Sequence, residues 1–249
     1  MQATTPEADL AGLPAAVFWD MDGTLTDSEP LWEKATYRLS RQLGKELIPE
    51  VRELTVGGTF TGTFAIIADY AGYNPQPGDE QRFEADMQDY VAGLYAQELV
   101  IFPGVRELLE QLHAAGVPMM VTTNTQRAVA DPVISAIGSQ YFVGSVCGDE
   151  VPAGKPAPDM YLEAAHRVGA DPASCLVFED SPAGMSAAVA AGCHVIGLPV
   201  ESNADLPTGA VPVRSLHTAS HLAGASIADV RRWWAVLTLN PQHAPGSQD

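Results

Sequence analysis

Apolar residues recur along the chain in two rhythms, and the change between them divides it. Ala15 to Trp19 is a short unbroken apolar run, as expected of a strand buried on both faces. From Pro30 the period becomes helical. Leu31, Ala35, Leu39 and Leu43 share a face, Glu33, Lys34, Arg38 and Arg41 lie between them, and Pro30 suits a helix start. Gly57, Gly58, Gly62, Gly72 and the turn Asn74-Pro75-Gln76-Pro77-Gly78 punctuate further helical runs up to about residue 100. This stretch reads as a small all-helical insert, joined to the first strand at one end and to Phe102-Pro103-Gly104 at the other. It is placed either to close as a lid over the carboxylates that follow the first strand or simply to contribute packing.

Beyond Gly104 strands and helices alternate. Val105, Leu108, Leu109 and Leu112 stripe a helix that ends near Gly116, and Val117–Thr122 reads as a buried strand. A helix over Arg127–Ile137 and a strand over Tyr141–Cys147 follow. Next comes a helix with Tyr161, Leu162, Ala165 and Val168 on one face. A strand over Ser174–Phe178, an Ala-rich helix and a fifth strand over His194–Leu198 complete the pattern. Repeated strand–helix units predict an α/β fold, a doubly wound parallel sheet with helices on both faces. The domains expected are a core of residues 1–29 and 101–249 and a helical cap of residues 30–100. In such sheets ligands bind outside the carboxyl ends of the strands, where strand order reverses.

Composition narrows the chemistry. The 249 residues include 46% hydrophobic and 18% charged, an ordinary globular balance. Lys and Arg number 13 against 31 Asp and Glu, for a formal net charge of −18. Such a field repels phosphate backbones and anionic lipid, so neither nucleic acid nor a membrane is expected as partner. An anionic substrate therefore requires a local positive site. Cys147, Cys175 and Cys193 form no Cys-x-x-Cys pair, which suits reduced thiols in a cytoplasmic protein. Met1 to Pro14 has neither Lys or Arg nor an apolar core, unlike a secretory signal. No apolar run approaches the ~20 residues of a membrane helix.

The first strand ends in Asp20-Met21-Asp22-Gly23-Thr24. Asp and Gly dominate turns, and a turn is the bland reading of this stretch. A calcium loop of the EF-hand type is the weaker reading, since glycine is fourth rather than sixth and a strand precedes it. Two carboxylates at the end of a buried strand repel each other and lose hydration, which calls for a counter-charge. A divalent cation supplies one, and oxygen-only ligands suit Mg2+. Three more polar clusters sit where strands end: Thr123-Asn124-Thr125, Gly154-Lys155-Pro156 and Glu179-Asp180-Ser181. A nucleophilic carboxylate with a proton-handling neighbour, a hydroxyl, a lysine and an acidic metal pair suit phosphoryl transfer, where positioning and charge stabilisation dominate.

Taken in order, these clusters resemble the motifs of haloacid dehalogenase superfamily phosphohydrolases with a helical cap after the first motif. Phe102-Pro103-Gly104-Val105 and Glu179-Asp180-Ser181-Pro182-Ala183-Gly184 resemble the phosphoglucomutase-like and sugar-phosphatase subgroup. The resemblance covers about residues 15 to 200. It implies that Asp20 attacks phosphorus to form an aspartyl-phosphate, while Asp22 protonates the leaving oxygen and then activates water. It also implies that Asp20, the backbone carbonyl of Asp22 and Asp180 bind Mg2+ with Glu179 adjacent, and that Thr123, Asn124 and Lys155 contact the phosphoryl oxygens. Mutases of the subgroup carry a histidine where Trp32 stands, and an arginine in the segment corresponding to Thr55–Thr59. Trp32 is donor-only and cannot relay protons. These departures favour hydrolysis of a small phosphorylated metabolite, a polyol or sugar phosphate with glycerol phosphate as first candidate. A sugar phosphomutase is the alternative, and a catalytically silent phosphate-sensing protein is the reading from another class.

Two features fall outside the motifs. His217 and His221, spaced for one helical turn, suggest a metal pair or, more simply, two surface histidines. Arg231-Arg232-Trp233-Trp234 suggests either a partner surface or a terminal helix packing its tryptophans on the core, and the second is favoured. Residues 240–249 are expected to be disordered.

Overall fold

The computed structural model describes residues 11–56, 58–198, 206–219 and 221–239. The expectations for the N-terminal lead-in up to residue 10 and for 240–249 lie outside the described residues. The first strand, β1, spans Ala16–Trp19 and is buried throughout. The helices α1 Glu29–Gln42, α2 Pro49–Glu53, α3 Phe60–Ala71 and α4 Asp79–Glu98 follow. Then come α5 Val105–Ala114, β2 Met119–Thr123, α6 Arg127–Ile137, β3 Gly144–Cys147, α7 Asp159–Val168, β4 Cys175–Glu179, α8 Pro182–Ala190, β5 His194–Gly197, β6 Ala210–Pro212 and α9 Ile227–Leu239.

The strands form one parallel sheet in the order β3-β2-β1-β4-β5-β6. The chain winds outward from β1 through β2 to β3, then returns to place β4 on the other side of β1. Strand order thus reverses at β1, and its carboxyl end opens between those of β2 and β4. Alternation along β1 sends Val17 and Trp19 to one core, Ala16 and Phe18 to the other. The first core is completed by α5, α6 and α9, the second by α7 and α8, so the sheet is doubly wound as expected. The apolar faces expected of α1 (Leu31, Ala35, Leu39, Leu43) and α5 (Val105, Leu108, Leu109, Leu112) are buried.

Several expectations are corrected. The third strand starts at Gly144 rather than Tyr141, which lies in a 3-10 turn over Ser139–Tyr141, because pairing with β2 begins at Met120↔Gly144. β2 and β4 each run one residue further than expected, so Thr123 and Glu179 are strand residues. The buried side of α7 is Met160, Tyr161, Ala164 and Ala165, whereas Leu162 is exposed. A sixth strand, β6, was not foreseeable by period: it is a short proline-bearing edge strand.

The helical segment meets the sheet through two adjacent chain crossings. Asp27 N donates to Val100 O at 2.9 Å, Phe102 N donates to Leu25 O at 3.1 Å, and Thr26 bridges Ile101 in antiparallel fashion. The terminal helix packs its tryptophan inward as favoured. Trp233 is buried, lies edge-on to Phe178 at 6.4 Å, and donates its Nε1–H to Leu216 O at 3.1 Å. The histidine pair is corrected. His217 and His221 lie outside any helix, His217 against Trp233 with its Nε2 2.9 Å from Ala223 O, and His221 stacked on Phe102 at 4.2 Å. Both are half-buried and pack against aromatic faces.

Trp233→Ala should destabilise the protein by about 3–5 kcal/mol, the cost of emptying a buried aromatic site. Denaturant unfolding measures it, and a loss under about 1 kcal/mol would show that α9 merely lies on the core.

Candidate active site

Asp20 follows β1 directly, with its N–H donating to Phe178 O at 3.1 Å. That bond aims the carboxyl into the opening between β2 and β4. Lys155, in the loop between β3 and α7, reaches the same place. Its Nζ donates to Asp20 Oδ1 at 2.6 Å, Glu179 Oε1 at 2.6 Å and Thr122 O at 2.9 Å. An ammonium has three donors, and here all three are used. In this geometry the Lys155 ammonium neutralises part of the charge of Asp20 and Glu179.

Glu179 is fully buried at the end of β4. Its Oε1 also accepts from Tyr161 Oη at 2.9 Å, and its Oε2 accepts from Ser181 N and Ser181 Oγ, each at 3.1 Å. A Cβ on Gly184 would lie 1.7 Å from Glu179 Oε1, so only glycine lets α8 start against this carboxylate. With both oxygens engaged, Glu179 is the counter-ion of Lys155 more than a free metal ligand. Asp180 lies against the turn after Asp20. A Cβ on Gly23 would stand 2.0 Å from Asp180 Oδ2, and Gly23 has φ +82°, so the turn requires glycine on both counts.

One carboxylate oxygen from each of Asp20, Glu179 and Asp180 lies within 4.8 Å of the other two. Asp20 Oδ2 is buried and has no hydrogen-bond partner among the described residues. An orphaned buried carboxylate oxygen beside a second carboxylate fits a hard divalent cation such as Mg2+, held by Asp20 and Asp180. Burial raises the Asp20 carboxyl to about 8, opposed by Lys155 and assisted by Glu179 and Asp22. Burial, with Asp20 and Glu179, holds Asp180 well above the usual carboxyl range. Burial works against the charge on Lys155, yet Asp20 and Glu179 outweigh it and hold the ammonium well above the usual lysine range. One ammonium is too little for this many buried carboxyls.

Asp22 points elsewhere. Its Oδ1 accepts from Trp32 Nε1 at 3.1 Å and from the Tyr95 hydroxyl, and its Oδ2 accepts from Thr125 Oγ1 at 2.7 Å. Thr123 Oγ1 lies 3.5 Å from Asp22 Oδ2 and accepts from Thr125 N at 3.1 Å. Asp22 can thus meet a metal only through its backbone. The Asn124 side chain clamps the lysine loop. Its Oδ1 accepts from Lys155 N at 2.9 Å and its Nδ2 lies 3.4 Å from Lys155 O.

Three residues of this site escaped sequence reasoning. Thr125 was visible only as part of a hydroxyl-rich turn. Tyr95 and Tyr161 sit in the apolar stripes of α4 and α7 and carry no local sign of their hydroxyl partners. Arg52, on α2, is buried, pairs with Glu29 and donates to Thr55 Oγ1 at 2.9 Å. It lies just before the segment Thr55–Thr59, where no arginine stands.

Haloacid dehalogenase-like hydrolases match residues 14–192. The chain belongs to this family. The protein CbbY of Rhodobacter capsulatus is 34% identical over 209 residues, 75% of this chain and 86% of that protein. Hexitol phosphatase A of Escherichia coli K12 is 33% identical over 189 residues, 76% of this chain and 84% of that protein. The crystal structure of CbbY from Rhodobacter sphaeroides in complex with phosphate superposes with a TM-score of 0.73 at 24% identity. It covers 88% of this chain and 99% of that one, and speaks for the fold.

Between the ordinary carboxyl range and about 8, the folded metal-free protein keeps a proton on Asp20 that the unfolded chain has lost. Its stability should therefore fall as pH rises through that window. Mg2+ binds the ionised carboxylate, so the gain in Tm on adding Mg2+ over EDTA should be larger at about pH 8 than at about pH 5. Thermal melts test this, and equal gains at both pH values would contradict the site.

Proposed function

We propose that this protein is a Mg2+-dependent phosphatase of small phosphomonoesters, with polyol and sugar phosphates as its substrate class. The observation that carries the reading is Asp20, with one oxygen on Lys155 and the other buried and unpartnered beside Asp180. Hexitol phosphatase A, a relative, is named for a polyol phosphate, which favours the same substrate class here. Glycerol phosphate is the first small candidate. Three buried free thiols agree with a cytoplasmic workplace.

In this reading residues 30–100 act as a cap domain over a core of 1–29 and 101–249. Asp20, Asp180 and the backbone carbonyl of Asp22 would hold Mg2+, which when bound would supply positive charge to the phosphoryl oxygens. Thr123 and Lys155 flank the same group. An Asp20 oxygen bonds to phosphorus as the ester P–O bond breaks, its electron pair leaving with the alcohol oxygen. Asp22 gives that oxygen a proton. In the second half a water oxygen attacks the phospho-Asp20, Asp22 takes the water's proton, and the pair of the breaking bond returns to the Asp20 carboxylate. Trp32 donates to Asp22 and offers no acceptor for relaying a second phosphoryl proton, which favours water over a sugar hydroxyl as final acceptor.

Phosphate release should be measured on glycerol phosphates, hexitol and hexose phosphates and phosphoglycolate, with Mg2+ and with EDTA. Isomerisation of β-glucose 1-phosphate should be followed beside it. Release concentrated on polyol or sugar phosphates and abolished by EDTA is expected, and isomerisation without release would favour a mutase. Asp20→Asn should lower turnover by at least about 10³-fold while the protein stays folded. Retained activity would overturn the assignment.

A further inference from the structure

The geometry points to Tyr95 and Trp32 as positioning residues for Asp22, a role that rests on the acid–base part proposed for that carboxylate. Neither is near Asp22 in sequence: Tyr95 lies 73 positions away on α4, and Trp32 lies 10 positions away on α1. Both converge on the same oxygen, Oδ1, from two different helices of the insert. Thr125 holds the other oxygen from the sheet side.

The chemistry of these donors fixes what they do. An indole N–H donates and never accepts. The Tyr95 hydroxyl faces the carboxylate as a donor. Donors of this kind stabilise the carboxylate that remains once Asp22 has given its proton to the leaving oxygen. They also fix the carboxyl plane, and with it the direction in which the proton is delivered. The insert thus supplies two of the groups that orient an acid–base carboxylate belonging to the β1 loop.

This role has a signature that simple packing lacks. An alkyl ester must leave with a proton, because an alkoxide is a very basic anion. A 4-nitrophenyl ester leaves as a stabilised anion and needs no acid in the first half-reaction. Loss of Asp22 alignment should therefore hurt phosphoryl transfer from the alkyl ester and spare it from the aryl ester. It should slow water attack for both.

The full chain with Mg2+ should be compared as wild type, Tyr95→Phe and Trp32→Phe, on glycerol 2-phosphate and on 4-nitrophenyl phosphate. Thermal melts would run alongside. On glycerol 2-phosphate kcat should fall by about 10-fold or more, with KM within about 3-fold. On 4-nitrophenyl phosphate the first turnover should stay within about 3-fold of wild type and appear as a nitrophenol burst before slowed steady release. Equal losses in the first turnover of both esters, or no loss in either variant, would overturn the inference while leaving the phosphatase reading intact. If Tyr95→Phe melts early, Trp32→Phe carries the same comparison. A wild type that releases phosphate from neither ester would overturn both readings together.

Discussion

Everything in this structure answers to the crowding of negative charge at the carboxyl end of β1. Asp20, Glu179 and Asp180 each bring one oxygen within 4.8 Å of the other two in a buried place, and a single ammonium, that of Lys155, stands among them. Burial alone makes such an arrangement costly, since each charge is removed from water. The protein meets part of the cost with directed bonds. Tyr161 and Ser181 satisfy Glu179, and Asn124 pins the loop that delivers Lys155. The remainder is left open at Asp20 Oδ2 and Asp180, where a divalent cation fits.

The topology explains why the charges meet there at all. Because β4 returns beside β1 after β3 has been laid down, the ends of β2, β1 and β4 are neighbours although their residues are far apart in sequence. The helical insert then enters immediately after the Asp22 turn and leaves beside it, at Thr26 and Ile101. Any shift of α1 or α4 against the sheet bears on Asp22 through Trp32 and Tyr95. The core holds Asp20 and the insert helps hold Asp22.

The sheet and the motif-bearing carboxylates were legible because both are written locally. A buried run ending in Asp20-Met21-Asp22-Gly23-Thr24 declares a strand and what stands at its end within ten residues, and Leu108 and Leu109 declare their helix in the same way. Side chains recruited across the fold were not legible. Tyr95 follows Phe83, Met87, Val91 and Leu94 on the buried side of α4 and reads as one more apolar contact until the helix is docked. Tyr161 hides the same way in α7. Lys155 and Glu179 were legible as members of the site, but their mutual bond was not. Nothing in the spacing says that the lysine spends its donors on two carboxylates and a carbonyl. β6 escaped for a simpler reason, since Ala210–Pro212 is too short to show a period.

The central claim is that Asp20, and no other carboxylate of the cluster, becomes covalently phosphorylated. The direct measurement is rapid acid quench during turnover with Mg2+, reduction of any acyl phosphate by borohydride, and peptide mass spectrometry. The account predicts homoserine at position 20, with Asp22, Glu179 and Asp180 unchanged. Turnover without an acyl phosphate, or with one on another residue, would contradict it.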